Sequence, residues 1–267
     1  MKHDRTIPMD ASEVQLAACL YCRARQKTLC GGCELTELRS ISQLKGKREY
    51  SAGETIFRPG DRPHFTGIVV EGTVSVGYAL PNGDERIVRF LTEGNFFGRT
   101  GGQPVPYCFR AETDVRVCAF DQQDFENSMQ AMPAMEAQLR DILIKEIDAS
   151  REMIAWLSGP DARQKLTLYL VHLCEQQDGA VKGNAGPVRI TFPATQGMVA
   201  NHLGVTRWSF SREMSWLRSQ GIISSSGHRT VIVHRPDRLI DIASSGRSDR
   251  NKARPALSGK GVEAAVQ

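Results

Sequence analysis

Between Thr195 and Leu217 the chain carries a pattern that few folds can use. Met198, Val199 and Leu203 give a short helix one apolar face, and Gly204 then breaks it. Glycine suits that exit because it accepts the left-handed conformation of a tight helix end. Thr206 is positioned to cap a second helix, whose inner face is Phe210, Met214 and Leu217. The opposite face reads Arg207, Trp208, Ser211, Arg212, Ser215 and Arg218. A short helix, a tight turn and a second helix with basic residues outward predict a helix-turn-helix. Double-stranded DNA is its expected partner, since arginine pairs bidentately with guanine O6 and N7 in the major groove. Thr206, Arg207, Trp208, Ser211, Arg212 and Arg218 are the expected contacts. Gly221 to Val233 reads as a hairpin wing with a basic tip that can meet phosphate.

Upstream the period is different. From about residue 41 to 127, short alternating runs such as 67–72, 73–78 and 86–91 are separated by turn residues, among them Asn82-Gly83. This spacing predicts a β-barrel or jelly roll. From Pro133 to Ser158 the period becomes helical: Leu143, Ile147, Ser150, Ile154 and Leu157 share one face. Met135, Leu139, Ile142, Met153 and Trp156 form a flanking stripe. Two stripes on one long helix require two packing partners, its own domain and a second copy of the chain. Ser158 to Asp161 breaks this helix, another follows through Leu173, and a Gly-rich loop spans 178–187. From 244 onward no apolar period remains, so a disordered tail is expected. The predicted fold class is α+β. Its parts are a cysteine-rich arm (1–40), a β-barrel sensor domain (41–131), a dimerisation helix (132–158), a winged helix-turn-helix (159–243) and the tail (244–267).

The net charge of +4 permits a polyanionic partner without demanding one. No apolar run reaches the length of a membrane span, and the start MKHDRTIPMD lacks a signal peptide's apolar core. The expected location is the cytoplasm, where thiols stay reduced. Four of the seven cysteines, Cys19, Cys22, Cys30 and Cys33, form a C-x2-C-x7-C-x2-C array flanked by Arg23, Arg25 and Lys27. Thiolates are soft ligands suited to iron–sulfur clusters or zinc, and neighbouring cations favour the thiolate. The array also allows a zinc knuckle or metal-free reduced thiols. Cys108 and Cys174 read as buried structural residues, and His64, His172 and His202 as packing or surface residues. Nothing resembles a nucleophile elbow or a P-loop, so an enzyme is not expected.

In the order barrel, long helix, winged helix-turn-helix, the chain resembles the CRP/FNR superfamily of transcription regulators from about residue 19 to 240. The resemblance is carried by Gly53 to Asp61, by Glu71-Gly72-Thr-Val, and by Thr195 to Arg212. It implies a homodimer that binds a palindromic site, an effector in the N-terminal domain, and RNA polymerase as a partner. Cyclic-nucleotide members hold phosphate with a Gly-Glu turn and an Arg-Ser pair. Here the turn reads Asn95-Phe-Phe-Gly98 and the following approach Gln103 to Tyr107, so neither is present. The cysteines are similar to the oxygen-responsive FNR-type (FnrN- or FnrL-like) branch. That likeness implies a [4Fe–4S] cluster on Cys19, Cys22, Cys30 and Cys118, with Cys33 as an alternate ligand. The alternative is a cluster-free regulator gated by thiol redox, zinc, or a small ligand such as haem or NO. Two positions depart from the branch: Ser150 stands where an interface Asp is usual, and Trp208 where a base-reading Glu is usual. Ser211 and Arg212 are retained.

Overall fold

The computed structural model describes residues 11–99, 101–158, 161–178 and 186–252. The expected break at Gly159-Pro160, most of the Gly-rich loop and the tail beyond 252 lie outside them. The described chain forms two compact units, one within Met1–Ala155 plus Phe192–Arg207, the other within Trp156–Thr191 plus Trp208–Gln267.

The first unit begins with helix α1 (Ala11–Leu20), a 3-10 turn over Arg25–Lys27, and helix α2 (Leu35–Leu44). A capping box starts α2, where the Glu37 side chain reaches back to the Glu34 amide. Eight strands follow: β1 (Lys45–Tyr50), β2 (Thr55–Phe57), β3 (Phe65–Glu71), β4 (Val74–Ala79), β5 (Glu85–Leu91), β6 (Phe96–Phe97), β7 (Cys108–Ala111) and β8 (Val115–Asp121). They pair antiparallel as two four-stranded sheets, β1-β8-β3-β6 and β2-β7-β4-β5. The jelly-roll expectation therefore holds, but the closed barrel does not. The sheets remain separate layers because their inner faces meet through side chains rather than through a continuous ladder.

Those inner faces build one core. Phe57, Phe65, Phe97 and Phe109 fill its centre, with ring centroids 4.9 to 6.3 Å apart. Strand alternation on β8 sends Val115, Val117 and Ala119 into this core and turns Cys118 to the other face. There Cys118 pairs in register with Ile68 and Lys47. The two-residue turn from β3 to β4 needs Gly72. Its φ is +91°, and a Cβ at that position would stand 2.2 Å from the Asp114 carbonyl oxygen. Gly72→Ala is expected to destabilise this unit by at least about 2 kcal/mol. Urea unfolding checks this, and an unchanged midpoint would contradict it.

Helix α3 (Gln122–Ala131) is capped by Asp121, whose carboxylate accepts from the Gln123 and Asp124 amides. Helix α4 (Pro133–Leu157) is the expected long helix. Met135, Leu139 and Ile142 join a second apolar cluster with Leu29, Ile41, Ile68, Phe120 and Phe125, and Cys30 and Cys118 pack against it. The other stripe is open: Leu143, Ile147, Ile154 and Leu157 are exposed, and so is Ile144.

The second unit holds helix α5 (Ala162–Asp178), strand β9 (Val188–Thr191), helix α7 (Arg207–Ser219, from Trp208 on), strands β10 (Ile223–Ser225) and β11 (Thr230–Val233), and helix α8 (Pro236–Lys252). The strands form an antiparallel sheet in the order β10-β11-β9. Helix α8 runs past residue 244, so the disordered tail does not begin there. Leu239 and Ala243 are buried and anchor its first turns.

Helix α6 (Gln196–His202) belongs to the first unit. Its cap is Thr195, and Gly204 leaves it at φ +65°, as the turn pattern requires. Asn201 treats β5, an edge strand, as a neighbouring strand would. Its Oδ1 accepts from the Ile87 amide at 2.8 Å and its Nδ2 donates to the Glu85 carbonyl at 2.9 Å. His202 is buried beside it, with Nδ1 3.1 Å from the Ile87 carbonyl and its ring against Phe90. Three backbone groups of that strand edge, the Ile87 amide and the Glu85 and Ile87 carbonyls, thereby find partners.

Candidate functional site

Three cysteines of the N-terminal array and one from a distant strand face one space. Cys19 ends α1, Cys22 follows it, Cys30 comes after the 3-10 turn, and Cys118 points outward from β8. All four line a cavity of about 850 Å³, together with Thr28, Ile41 and Ile68. Arg23, Arg25, Lys45, Lys47 and Arg116 also line it, with Glu71 and Glu93. The arm is shaped by local hydrogen bonds: the Cys22 amide donates to the Cys19 carbonyl, the Arg25 amide to the Cys22 carbonyl, and the Cys30 amide to the Thr28 hydroxyl. Arg25 donates to the carbonyls of Cys30 and Cys33 and so closes the loop.

Cys33 is built differently. It is buried, does not line the cavity, and its thiol donates to the Leu29 carbonyl at 3.4 Å. The array of four N-terminal cysteines thus divides into three that face the cavity and one in the core below it. Of the remaining cysteines, Cys174 is buried as expected, whereas Cys108 is only half-buried because it sits on β7 beside Glu85 and Arg110.

Burial pushes the thiols of Cys30 and Cys118 up to about 12. For Cys30 the Cys33, Cys19 and Cys22 thiols raise it further against the Thr28 hydrogen bond. For Cys118, Cys30 adds to the rise and Lys45 opposes it. The Cys30 and Cys118 thiols therefore resist ionising unless a cation offsets the charge. Among the described residues no three His, Cys, Asp or Glu side chains stand close enough to hold a single metal ion. The thiols surround a space rather than a point. Four soft donors around a cavity fit a polynuclear iron–sulfur group, whose own atoms keep its ligands farther apart than one ion would.

The cavity reaches the long helix through packing. Gly32, between Cys30 and Cys33, lies so close to Gln138 of α4 that a Cβ there would meet its Nε2 at 2.7 Å. Farther along α4, Glu146 accepts from Arg89 of β5 at 2.6 Å, and β5 in turn carries the Asn201 contact of α6. Cysteine loop, long helix, β5 and α6 therefore form one chain of direct contacts.

On α7 the inner face is Phe210, Met214 and Leu217, all buried as expected. Thr206, Arg207, Trp208, Ser211 and Arg212 are exposed. Arg218 is exposed too, but its guanidinium bridges the Ser215 and Ser225 hydroxyls at 2.9 and 3.1 Å. It ties the helix to the wing, a role that sequence reasoning missed. Glu213, buried on the inner side, was missed as well. Ser150 donates its hydroxyl to the Glu146 carbonyl at 2.8 Å, so the stripe carries no charge at that position.

A jelly roll, a long helix with an open apolar stripe, and the helices α6 and α7 followed by a β-wing point to a DNA-binding regulator. Comparisons with known proteins agree. Residues 47–132 match the family described as Cyclic nucleotide-binding domain, and residues 164–242 match the Crp-like helix-turn-helix domain. The chain is 34% identical to the transcriptional activator protein FnrL of Cereibacter sphaeroides over 85% of its length and 92% of that protein. It is 27% identical to the nitrogen fixation regulation protein FixK of Bradyrhizobium diazoefficiens, covering 84% and 91%. The solved structure of FixK2 from Bradyrhizobium japonicum superposes with a TM-score of 0.66 at 21% identity, covering 74% of this chain and 96% of that one. The chain belongs to the CRP/FNR family of DNA-binding transcription regulators, which act as dimers and are not enzymes. No helix among the described residues is long and apolar enough to cross a membrane.

Proposed function

We propose that this regulator is controlled by an oxygen-labile [4Fe–4S] cluster held by Cys19, Cys22, Cys30 and Cys118. The observation that carries this reading is the convergence of those four thiols on one cavity, with Cys33 turned away from it. When bound, such a group supplies an oxygen-sensitive crosslink between thiolates. Cys19, Cys22 and Cys30 belong to the arm and Cys118 to β8, so shared ligation fastens the arm to the sheet. Gly32 then stays seated against Gln138, and α4 keeps its place on the second apolar cluster.

That placement presents Leu143, Ile147, Ser150, Ile154 and Leu157 to the same stripe of a second copy. Pairing of the two long helices sets two recognition helices on a palindromic site, with Thr206, Arg207, Trp208, Ser211 and Arg212 toward the DNA and Arg218 bracing the wing. The space between the sheets is filled by the Phe57, Phe65, Phe97 and Phe109 rings, whereas the thiol cavity is open, which favours the latter as the sensing site. Similarity to FnrL supports the same reading. RNA polymerase as a partner, a cytoplasmic location and the five-part domain division belong to it.

The test compares operator affinity of anaerobically prepared, cluster-loaded protein with the same preparation after air. Air is expected to weaken binding by at least about tenfold, because a ligand shifts an equilibrium only by its preference for one state. Equal affinities would refute the switch. A colourless anaerobic protein containing zinc would refute the cluster.

A further inference from the structure

The side chain at position 208 cannot brace the guanine-reading arginine through a carboxylate, because it is Trp208. The structure supplies a carboxylate from another direction. Glu213 follows Arg212 directly on α7, where neighbouring residues do not ordinarily face each other. Yet Arg212 folds back over the helix, and its Nε and one Nη lie 2.9 and 2.8 Å from Glu213 Oε1. Glu213 is 3% exposed, and its second oxygen is held by Arg163 of α5 at 2.8 Å. The Arg163 guanidinium lies 3.7 Å over the Trp216 ring, so this partner is itself fixed. On its outer side Arg212 lies 4.8 Å over the centre of the exposed Trp208 ring.

From this geometry we infer that Glu213 is a positioning residue for Arg212, setting its guanidinium for base reading. The inference rests on the reading of Arg212 as a base contact. A guanidinium has five N–H donors in a planar fork. Glu213 takes those on the Nε side, and the end of the fork remains free for guanine O6 and N7. Burial opposes the Glu213 charge, but hydrogen bonds and charges from Arg163 and Arg212 outweigh it and keep the carboxyl below its usual range. A carboxylate held on both oxygens by arginines gives Arg212 one orientation before DNA arrives. Preorganisation of this kind removes the cost of ordering the side chain when it meets its base.

The experiment uses the full-length dimer and a palindromic duplex selected by the wild-type protein from a random pool. Each G·C pair of the half-site is replaced in turn by A·T, and affinity ratios are measured for wild type, Arg212→Ala, Glu213→Gln and the double variant. Arg212→Ala should lose discrimination at one pair. Glu213→Gln should lose at least about fivefold at that same pair, the lower end of what a bidentate pair contributes. In the Arg212→Ala background Glu213→Gln should change nothing further at that pair. Trp208→Glu added to Glu213→Gln should restore discrimination, since a carboxylate four residues before Arg212 reaches it along the helix.

A uniform loss over all pairs on Glu213→Gln, without rescue, would show a merely structural role and overturn the inference. No pair-specific loss on Arg212→Ala would overturn the base-reading assignment itself, and the inference with it. If Glu213→Gln does not fold, Trp208→Glu alone decides. With Arg212 already braced its discrimination should stay within about twofold of wild type, and a large gain would overturn the proposal.

Discussion

Anaerobically purified Cys118→Ser protein is expected to lose stoichiometric iron and sulfide, while Cys33→Ser protein keeps both. The contrast follows from the two environments. Cys118 points from the outer face of β8 into the cavity lined by Cys19, Cys22 and Cys30, and of these four thiols it is the one carried by the sheet. Removing it leaves three ligands, all on the arm, with nothing to fasten them. Cys33 points into the apolar core below and satisfies its thiol on the Leu29 carbonyl. Serine there costs some packing, about 1–2 kcal/mol for a buried hydroxyl that keeps a hydrogen bond, without touching ligation. Iron and sulfide assays with a visible spectrum read both variants directly. Full loss in Cys33→Ser with retention in Cys118→Ser would reverse the ligand assignment.

The second large effect is expected on the long helix. Ile154→Asp should weaken self-association of the loaded protein by about 100-fold or more, because each subunit would bring an unpaired charge into a dry seam. Ile154 is 66% exposed in the single chain, so its replacement leaves the fold of the unit intact. Sedimentation measures the dimer, and affinity for the palindrome should fall in parallel. A dimer of unchanged strength would place the seam elsewhere. Ser150→Asp should act in the same direction but less strongly, since that position carries a hydroxyl already turned onto the Glu146 carbonyl. Its wild-type neutrality leads to the expectation that protein without the cluster still dimerises to some extent.

Much of the architecture was legible in the chain. The turn at Gly204, the inner stripe Phe210, Met214 and Leu217, and the two stripes of α4 are all local periodicities, and each appears where the spacing places it. Alternation along 115–121 fixes which side chains of β8 leave the core, although only the opposing sheet shows which face is inner. The closed barrel failed for a related reason. Alternating strands announce two faces but do not tell whether the ladder closes.

The helix-turn-helix at 195–217 was determined by the sequence alone, because a helix exit, a cap and an amphipathic stripe are decided within a few residues of each other. Tertiary structure decided the rest. Cys30 and Cys118 are 88 positions apart in the numbering and meet only through the packing of the arm on β8. Cys33, with the same residue type and the same spacing as its neighbours, does not line the cavity, because its loop turns it toward the Leu29 carbonyl. Glu213 reads in sequence as an ordinary acid beside an arginine. Its role comes from Arg163, 50 residues upstream, which makes a buried carboxylate tolerable where Arg212 needs one. Periodicity specifies which face of an element is buried, and only the fold specifies what that face meets.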